Sequence, residues 1–471
     1  MLFNSWAFVL LVVCVFPLYY WRPLQRAQIH LLLAASLVFY GYHQPKLLLL
    51  LVYSISINAL ASYFVTFGRA NRRFWWALLG VGTNLAVLLF FKYSGLFYRS
   101  LFRPTAGDRI GEFLVALPLP VGISFFTFQG ISLVVDAYRS ARAPSPSITL
   151  DRRFGVHFLR ISFFKAFFPQ LVAGPIVKAH EFLPQIAPKY LRDIDWPRVT
   201  HDLILGYFLK MVVADHLKEF TFWIAYPYFL NWSSLTLLAL LFGYSMQIFA
   251  DFAGYSLIAL GLGGLFGYRL PINFDFPYIA ESFSEFWQRW HISLSSFLRQ
   301  YLYIPLGGNR NGPLRTYFNL FIVMFLGGLW HGAAWSYAVW GSVHGLLLAI
   351  ERLVQGSRPR RATGFFARAC KVTLVFTFVT AAWLLFKLPD FHQVLLFVHS
   401  LTTQRALPNN YYLFFNIGIY SIPVLVYHAH YAWRRVHIGH STTGESLLLG
   451  ALLSLIILNS GSPGAFIYFQ F

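Results

Sequence analysis

The chain has 471 residues, 57% of them hydrophobic and 19% aromatic but only 11% charged, with a mean hydropathy of +0.57. Average soluble domains carry roughly one-quarter charged residues, so this composition excludes a soluble globular protein, and no polar stretch is long enough to form a soluble domain on a single anchor. The net charge of +20 does not point to nucleic acid. The basic residues lie in short loops between apolar runs, the distribution that places Lys and Arg loops in the cytoplasm.

Apolar runs near the ~20 residues needed to cross a ~30 Å hydrocarbon core recur along the chain. They cover 5–20, 31–39 continuing through 47–67, 74–91, 113–135, 235–249, 318–350, 372–386, 411–427 and 447–458. The expectation is an all-α integral membrane protein with about eleven transmembrane helices plus re-entrant or interfacial helices, in one polytopic domain. Within it, 1–112 read as peripheral helices, 113–350 as a core, 351–465 as carboxy-terminal helices and 466–471 as a separate aromatic motif. The first run lacks a small-residue cleavage site and is followed by "WRPLQR", so it reads as a retained helix. Placing Arg22 and Arg26 inside puts the amino terminus outside, and "GRANRR" and "YRSARAPS" then fall inside as well. The stretch 92–109 dissents, with four basic residues where alternation predicts the outside. Cys14 and Cys370 lie in separate apolar segments, offer neither a disulfide framework nor a zinc spacing, and read as plain core residues.

From Pro118 onward, polar and helix-breaking residues enter the apolar runs: "PLPVGISFFTFQGISLVVDAYR", "FFPQLVAGPIVKAHEFLPQI", "FWQRWHISLSSFLRQYLYIPLGGNRNGP" and "FLGGLWHGAAWSYAVWGSVHG". Irregular backbone at membrane depth is tolerated where it is buried in protein or lines a water-filled cavity, so this block is expected to build a cavity. The competing account is close helix packing through small residues.

Two of the fifteen histidines stand out. His331, in "GGLWHGAAW", falls about midway through an apolar stretch, where an ionisable group is costly and marks a functional site by default. On a continuous helix Trp335 would follow on the same face at i+4, with Gly327, Gly328 and Gly332 leaving room for a ligand. A neutral histidine satisfied by a nearby carbonyl is the alternative. His291 lies in an amphipathic, aromatic segment where a helix would align Trp287, His291 and Ser295 on one face, a pattern suited to an interfacial or re-entrant helix. His344, thirteen residues past His331, reads as structural. Trp330, Trp335, Trp287, Ser295, Asn273 and Gln247 are the candidate substrate-binding residues. A neutral imidazole in a cavity can take a proton from an attacking hydroxyl, which fits acyl transfer. The sequence has no G-x-S-x-G elbow, no H-E-x-x-H and no P-loop, and "GLGGLFG" lies inside an apolar helix as a packing element.

These motifs, in this order, resemble the membrane-bound O-acyltransferases, and within them the bacterial branch of alginate O-acetylases and teichoic-acid D-alanyl transfer proteins. The resemblance runs from "MLFNSWAF" through "FFPQLVAGPI", "FADFAGYSLIALGLGGLFGYRLPINFDFPY", "FWQRWHISLSSFLRQYLYIPLGG" and "GGLWHGAAW" to the final "FIYFQF". It implies His331 as the catalytic histidine, His291 as the second characteristic polar residue, and a funnelled core joining a cytoplasmic acyl donor to an acceptor across the membrane. The family usually has a Trp and an Asp after His291, where this chain has Phe297 and Gln300. "YIPLGGNR" is closer to the alginate side, implying acetyl-CoA as co-substrate and no further cofactor. The implied acceptor is an exported or cell-envelope polysaccharide such as alginate, reached through an extracytoplasmic SGNH-type esterase-like partner, with the protein multi-pass in a bacterial inner membrane. D-alanyl or lipid and lipoprotein acyl transfer of the same fold are the alternatives, with a transporter lacking any chemistry as a third; no paired half-repeats are visible to favour it. The family's relay systems carry a carboxy-terminal aromatic motif with a central Tyr, here Tyr468, as transient acyl carrier; an interfacial aromatic anchor is the competing account.

Overall fold

A computed structural model describes residues 1–102, 108–143, 147–172, 174–355, 364–434 and 442–462. Tyr468 and the rest of FIYFQF lie outside these residues. Among the described residues twenty α-helices follow one another: α1 (Trp6–Tyr20), α2 (Gln28–Gly41), α3 (Leu47–Phe67), α4 (Arg73–Leu101), α5 (Arg109–Ala116), α6 (Ile123–Ser140), α7 (Phe154–Ala166), α8 (Phe168–Leu171), α9 (Ala179–Phe182), α10 (Trp196–Tyr207), α11 (Asp215–Thr221), α12 (Ser234–Leu265), α13 (Phe283–Arg289), α14 (Ile292–Leu298), α15 (Gly312–His331), α16 (Trp335–Gln355), α17 (Phe365–Lys387), α18 (Phe391–Thr403), α19 (Tyr411–Arg434) and α20 (Thr442–Leu458). The only β pairing among them is an isolated bridge between Phe274 and Trp290. The protein is therefore all-α, as its composition implies.

Five described helices are long and apolar enough to cross a membrane, and a sixth span results if α1 and the following segment to Gly41, bent by 103°, count together. The count of about eleven is not reached by this measure. Several apolar runs are broken into shorter helices, and 318–350 falls in a hairpin of two helices of 20 and 21 residues with a break at 332–334. Within the dissenting basic stretch, Arg99 and Arg109 lie at the facing ends of α4 and α5. α4 continues to Leu101, so Lys92 is a buried residue within a helix and not part of a loop. Cys14 and Cys370 are exposed and free, which corrects their reading as core residues. On a lipid-facing helix surface an apolar neighbourhood does not mark the interior.

The described residues form two compact units, the first from Met1–Leu203 with Ile258–Pro271, the second from Ile204–Leu257 and Ile272 onward. In the first, α3, α4 and α6 pack together around a reciprocal amide pair. Asn84 Nδ2 donates to Asn58 Oδ1 at 2.7 Å and Asn58 Nδ2 to Asn84 Oδ1 at 3.2 Å. Lys165 is fully buried in the same unit and donates to Ser54 Oγ at 2.7 Å. Gly261 and Gly264, from "GLGGLFG", sit against Leu203 and Val199, so those glycines serve packing.

The second unit holds the α15–α16 hairpin. Gly328 lies against the Tyr337 carbonyl and Gly341, Gly341 against the Met324 carbonyl, and Gly345 against Phe321. The pairing runs in opposite directions along the two helices, so they are antiparallel, and a side chain at Gly328 or Gly341 would meet backbone that cannot yield. A π-helical segment, Phe208–Ala214, precedes α11. There Lys210 is buried between two carboxylates, 2.6 Å from Asp215 and 2.7 Å from Asp251.

Candidate active site

Two interruptions of helical structure, both in the second unit, bring the two histidines together. α13 ends at Arg289, and His291 precedes α14 in the left-handed region, with φ of 46°. This conformation is uncommon for a residue with a side chain and persists only where its surroundings fix it. Here the extended segment 273–275 does so. Ile292 N donates to the Asn273 carbonyl at 2.9 Å, Asp275 N to the Arg289 carbonyl at 3.0 Å, and Trp290 bridges Phe274. The start of α13 is held from another side, because Glu351 Oε2 accepts from Phe283 N at 2.6 Å and from Ser284 N at 3.3 Å.

The proton on His291 can be placed. Asn273 Oδ1 accepts from Ser293 N at 3.3 Å and from Ser293 Oγ at 2.8 Å, and His291 Nδ1 lies 3.0 Å from the same oxygen. A backbone N–H can only donate, so this atom is the carboxamide oxygen, and Nδ1 must carry the proton. In the neutral ring Nε2 is then the acceptor. His291 is fully buried, with Phe252 edge-on at 4.7 Å and Trp330 at 5.9 Å between ring centroids.

His331 is the last residue of α15, with Gly332 capping the helix in an extended conformation. Its ring lies 6.3 Å from that of His291, 5.0 Å from Trp330, 5.2 Å from Trp340 and 5.1 Å from Phe386. At a helix carboxy terminus the aligned carbonyl dipoles favour the positive charge that proton uptake creates.

An elongated cavity of about 650 Å³ reaches His331. Trp287, Ser295, Gly327 and Trp340 line it with His331, Arg299 follows one turn after Ser295, and Arg310 and Arg352 line it elsewhere. The hairpin register separates the two groups. Arg310 just precedes the first turn of α15 and His331 ends it, twenty helical residues away, roughly 30 Å at 1.5 Å per residue. Counting forward along α16 from Gly341, which faces Gly328, and so back along α15, places Arg352 opposite the first turns of α15 and at the Arg310 end. Among the described residues no group of three or more His, Cys, Asp or Glu is placed to hold a metal ion.

Of the residues singled out from sequence, Trp287 and Ser295 line the cavity, Asn273 orients His291, and Trp330 packs against both histidines. Trp287 and His291 do not share a helix face, since α13 ends between them. The segment expected to form an interfacial or re-entrant helix consists of two short helices around a buried break. Trp335 is 51% exposed at the start of α16, and because α15 stops at His331 the two are not related by an i+4 step on one helix. Gln247, on α12, accepts from Thr221 and is not among the cavity-lining residues. His344 lies on α16, not on the helix of His331. Sequence reasoning misses Trp340 and the three arginines. The "NRNG" turn carries a signal for Arg310, but an arginine near a loop serves membrane topology equally well.

Residues 151–389 match the membrane-bound O-acyltransferase family, MBOAT. The chain is 36% identical over 403 residues to the probable alginate O-acetylase AlgI of Pseudomonas putida, covering 83% of this chain and 78% of that protein. It is 35% identical over 393 residues to the peptidoglycan O-acetyltransferase of Helicobacter pylori, covering 77% and 72%. A teichoic acid D-alanyltransferase of Bacillus subtilis is 28% identical over 239 residues, covering 48% and 58%. The motifs around both histidines lie inside the matched region, and the chain belongs to the membrane-bound O-acyltransferase family.

Proposed function

We propose that this O-acyltransferase moves an acetyl group from acetyl-CoA on the cytoplasmic side to an exported or cell-envelope polysaccharide such as alginate, through an extracytoplasmic esterase-like partner. The observation that carries this reading is the cavity with His331 toward one end and the guanidinium groups of Arg310 and Arg352 toward the other, with Arg299 also in its lining. Guanidinium groups recognise phosphate oxygens well. A thioester joined to phosphates by a long arm matches such a layout: phosphates at Arg310 and Arg352, thioester at His331. The basic sequence that follows Arg352 is of the kind retained in the cytoplasm, which sets the donor's entry side. The names of the relatives at 35–36% identity support acetyl as the group moved.

In the proposed step an acceptor hydroxyl attacks the thioester carbon while His331 takes its proton. The C–S bond then breaks, and the departing sulfur receives that proton from the imidazolium. His291 orients the acceptor through Nε2. Tyr468 is the proposed first acceptor, and its aryl ester passes the acetyl group to a hydroxyl on the partner. Phenoxide leaves more readily than an alkoxide, tyrosine having a reference pKa of about 10, so onward transfer runs downhill.

One experiment tests both assignments: polymer acetylation in cells producing His331→Ala or Tyr468→Phe, with the amount of protein in the membrane measured alongside. His331→Ala is expected to abolish acetylation at unchanged abundance, and retained acetylation removes His331 from the mechanism. Tyr468→Phe is expected to be inactive although inserted, and full activity returns FIYFQF to an anchoring role.

A further inference from the structure

We infer that the indole N–H of Trp340, assisted by that of Trp287, donates to the thioester carbonyl oxygen and holds the negative charge that develops there. The inference rests on the reading of His331 as general base. Trp340 is 1% exposed, lines the same cavity as His331 and presents its ring to that imidazole at 5.2 Å and 89°. Its Nε1 is buried with no hydrogen-bond partner among the described residues, and so are Nε1 of Trp287 and of Trp383, the last outside the cavity lining. The two indoles touch, at 5.7 Å and 72°, and both line the cavity.

An indole nitrogen can only donate, and buried donors in folded proteins nearly always have an acceptor. What sets Trp340 and Trp287 apart is that both line the cavity and touch each other, with Trp340 against the base. Phenylalanine would fill a comparable apolar wall without burying an N–H. Trp340 is also held rigidly, stacked on Trp383 at 5.6 Å and 24° with Phe386 edge-on at 5.5 Å. Donors fixed in a water-poor site and aimed at developing charge are the form of stabilisation that contributes most in acyl transfer.

In the proposed step the acceptor oxygen bonds to the carbonyl carbon, its proton goes to His331, and the carbonyl π electrons move onto oxygen, where the indole N–H groups hydrogen-bond to them. When the carbonyl re-forms, the C–S bond breaks and its electron pair leaves on sulfur, which takes the proton from His331. The tryptophans keep their protons throughout.

The test uses purified full-length protein in detergent with acetyl-CoA and water as the acceptor, measuring kcat and KM for release of free CoA. Trp340→Phe retains the ring and removes the donor, and is expected to lower kcat on the order of 10²–10³-fold, the usual cost of losing one such donor, with KM for acetyl-CoA and thermal stability little changed. Trp383→Phe, in the same aromatic cluster but not among the cavity-lining residues, is the control and is expected to keep kcat within a few-fold of wild type. A near-wild-type kcat in Trp340→Phe overturns the inference. So does an equal loss in both variants, which would make the wall a packing element, or a loss confined to KM. His331→Ala retaining activity would overturn the base assignment instead, so the two failures are distinguishable.

Discussion

Asn273 shows how much one side chain can decide. Its carboxamide oxygen receives three donors, from Ser293 N, Ser293 Oγ and His291 Nδ1, and thereby fixes both the left-handed turn and the tautomer of the histidine. Asn273→Ala leaves those donors buried without an acceptor, at about 1–3 kcal/mol each before relaxation. The expected outcome is a lower melting temperature in detergent together with a drop in acetyl transfer close to that of His291→Ala. An unchanged melting temperature would show that the turn is held without it. The proposed role of His331 is legible in the sequence because an ionisable group inside an apolar run is costly and marks a functional site by default. Trp340 is not, since a tryptophan in such a run has the same appearance whether its N–H is spent or unspent. Only the three-dimensional placement separates the cases.

At the scale of elements, the α15–α16 hairpin carries the site, and its fit depends on backbone meeting backbone. Gly341→Val drives methyl groups into the Met324 carbonyl, whose helix cannot withdraw without opening the cavity. This substitution is expected to reduce the amount of folded protein in the membrane several-fold, in contrast to His331→Ala, and immunoblotting of membranes against cell extract would read the difference. Wild-type abundance in Gly341→Val would mean that the hairpin is looser than its contacts imply. The helical character of this region is legible from hydropathy, but its interruption is not. From sequence the glycines of "GGLWHG" read as space for a ligand, whereas Gly332 terminates the helix and Gly328 admits the neighbouring one. The alignment of Trp287, His291 and Ser295 on one face fails for the same reason, since a break shifts the phase of every residue beyond it.

For the whole molecule, composition establishes the class and the solvent, and the membrane then obscures the detail. Where lipid surrounds a protein, apolar residues face outward as readily as inward, so periodicity separates core from surface poorly. The exposed Cys14 and Cys370 follow from that, as does the gap between about eleven expected spans and the five or six found among the described residues. Charge is a better guide than hydropathy once the hairpin register is known. Arg310 and Arg352 belong to distant parts of the sequence yet share one end of the cavity. Replacing both by Gln is expected to raise KM for acetyl-CoA at least tenfold and leave kcat within a few-fold, a pattern expected of lost ground-state binding. The same variant compared on a phosphopantetheine-loaded carrier protein, which presents fewer phosphates, would distinguish the donors. Unchanged KM for acetyl-CoA would detach the arginines from donor binding.

The widened turn before α11 has an arithmetic consequence. The Asp215 N–H bonds to the Lys210 carbonyl, five residues back, so those two residues lie one turn apart and their side chains meet. On an ordinary helical wheel five steps of about 100° would leave them well apart around the axis. Beyond the widened turn the following helix is out of phase with α10, and in that phase His216 lies flat on Tyr420 of α19 at 4.2 Å and 11°. A wheel drawn through 196–221 at a constant pitch would assign both the charges and the ring to the wrong sides.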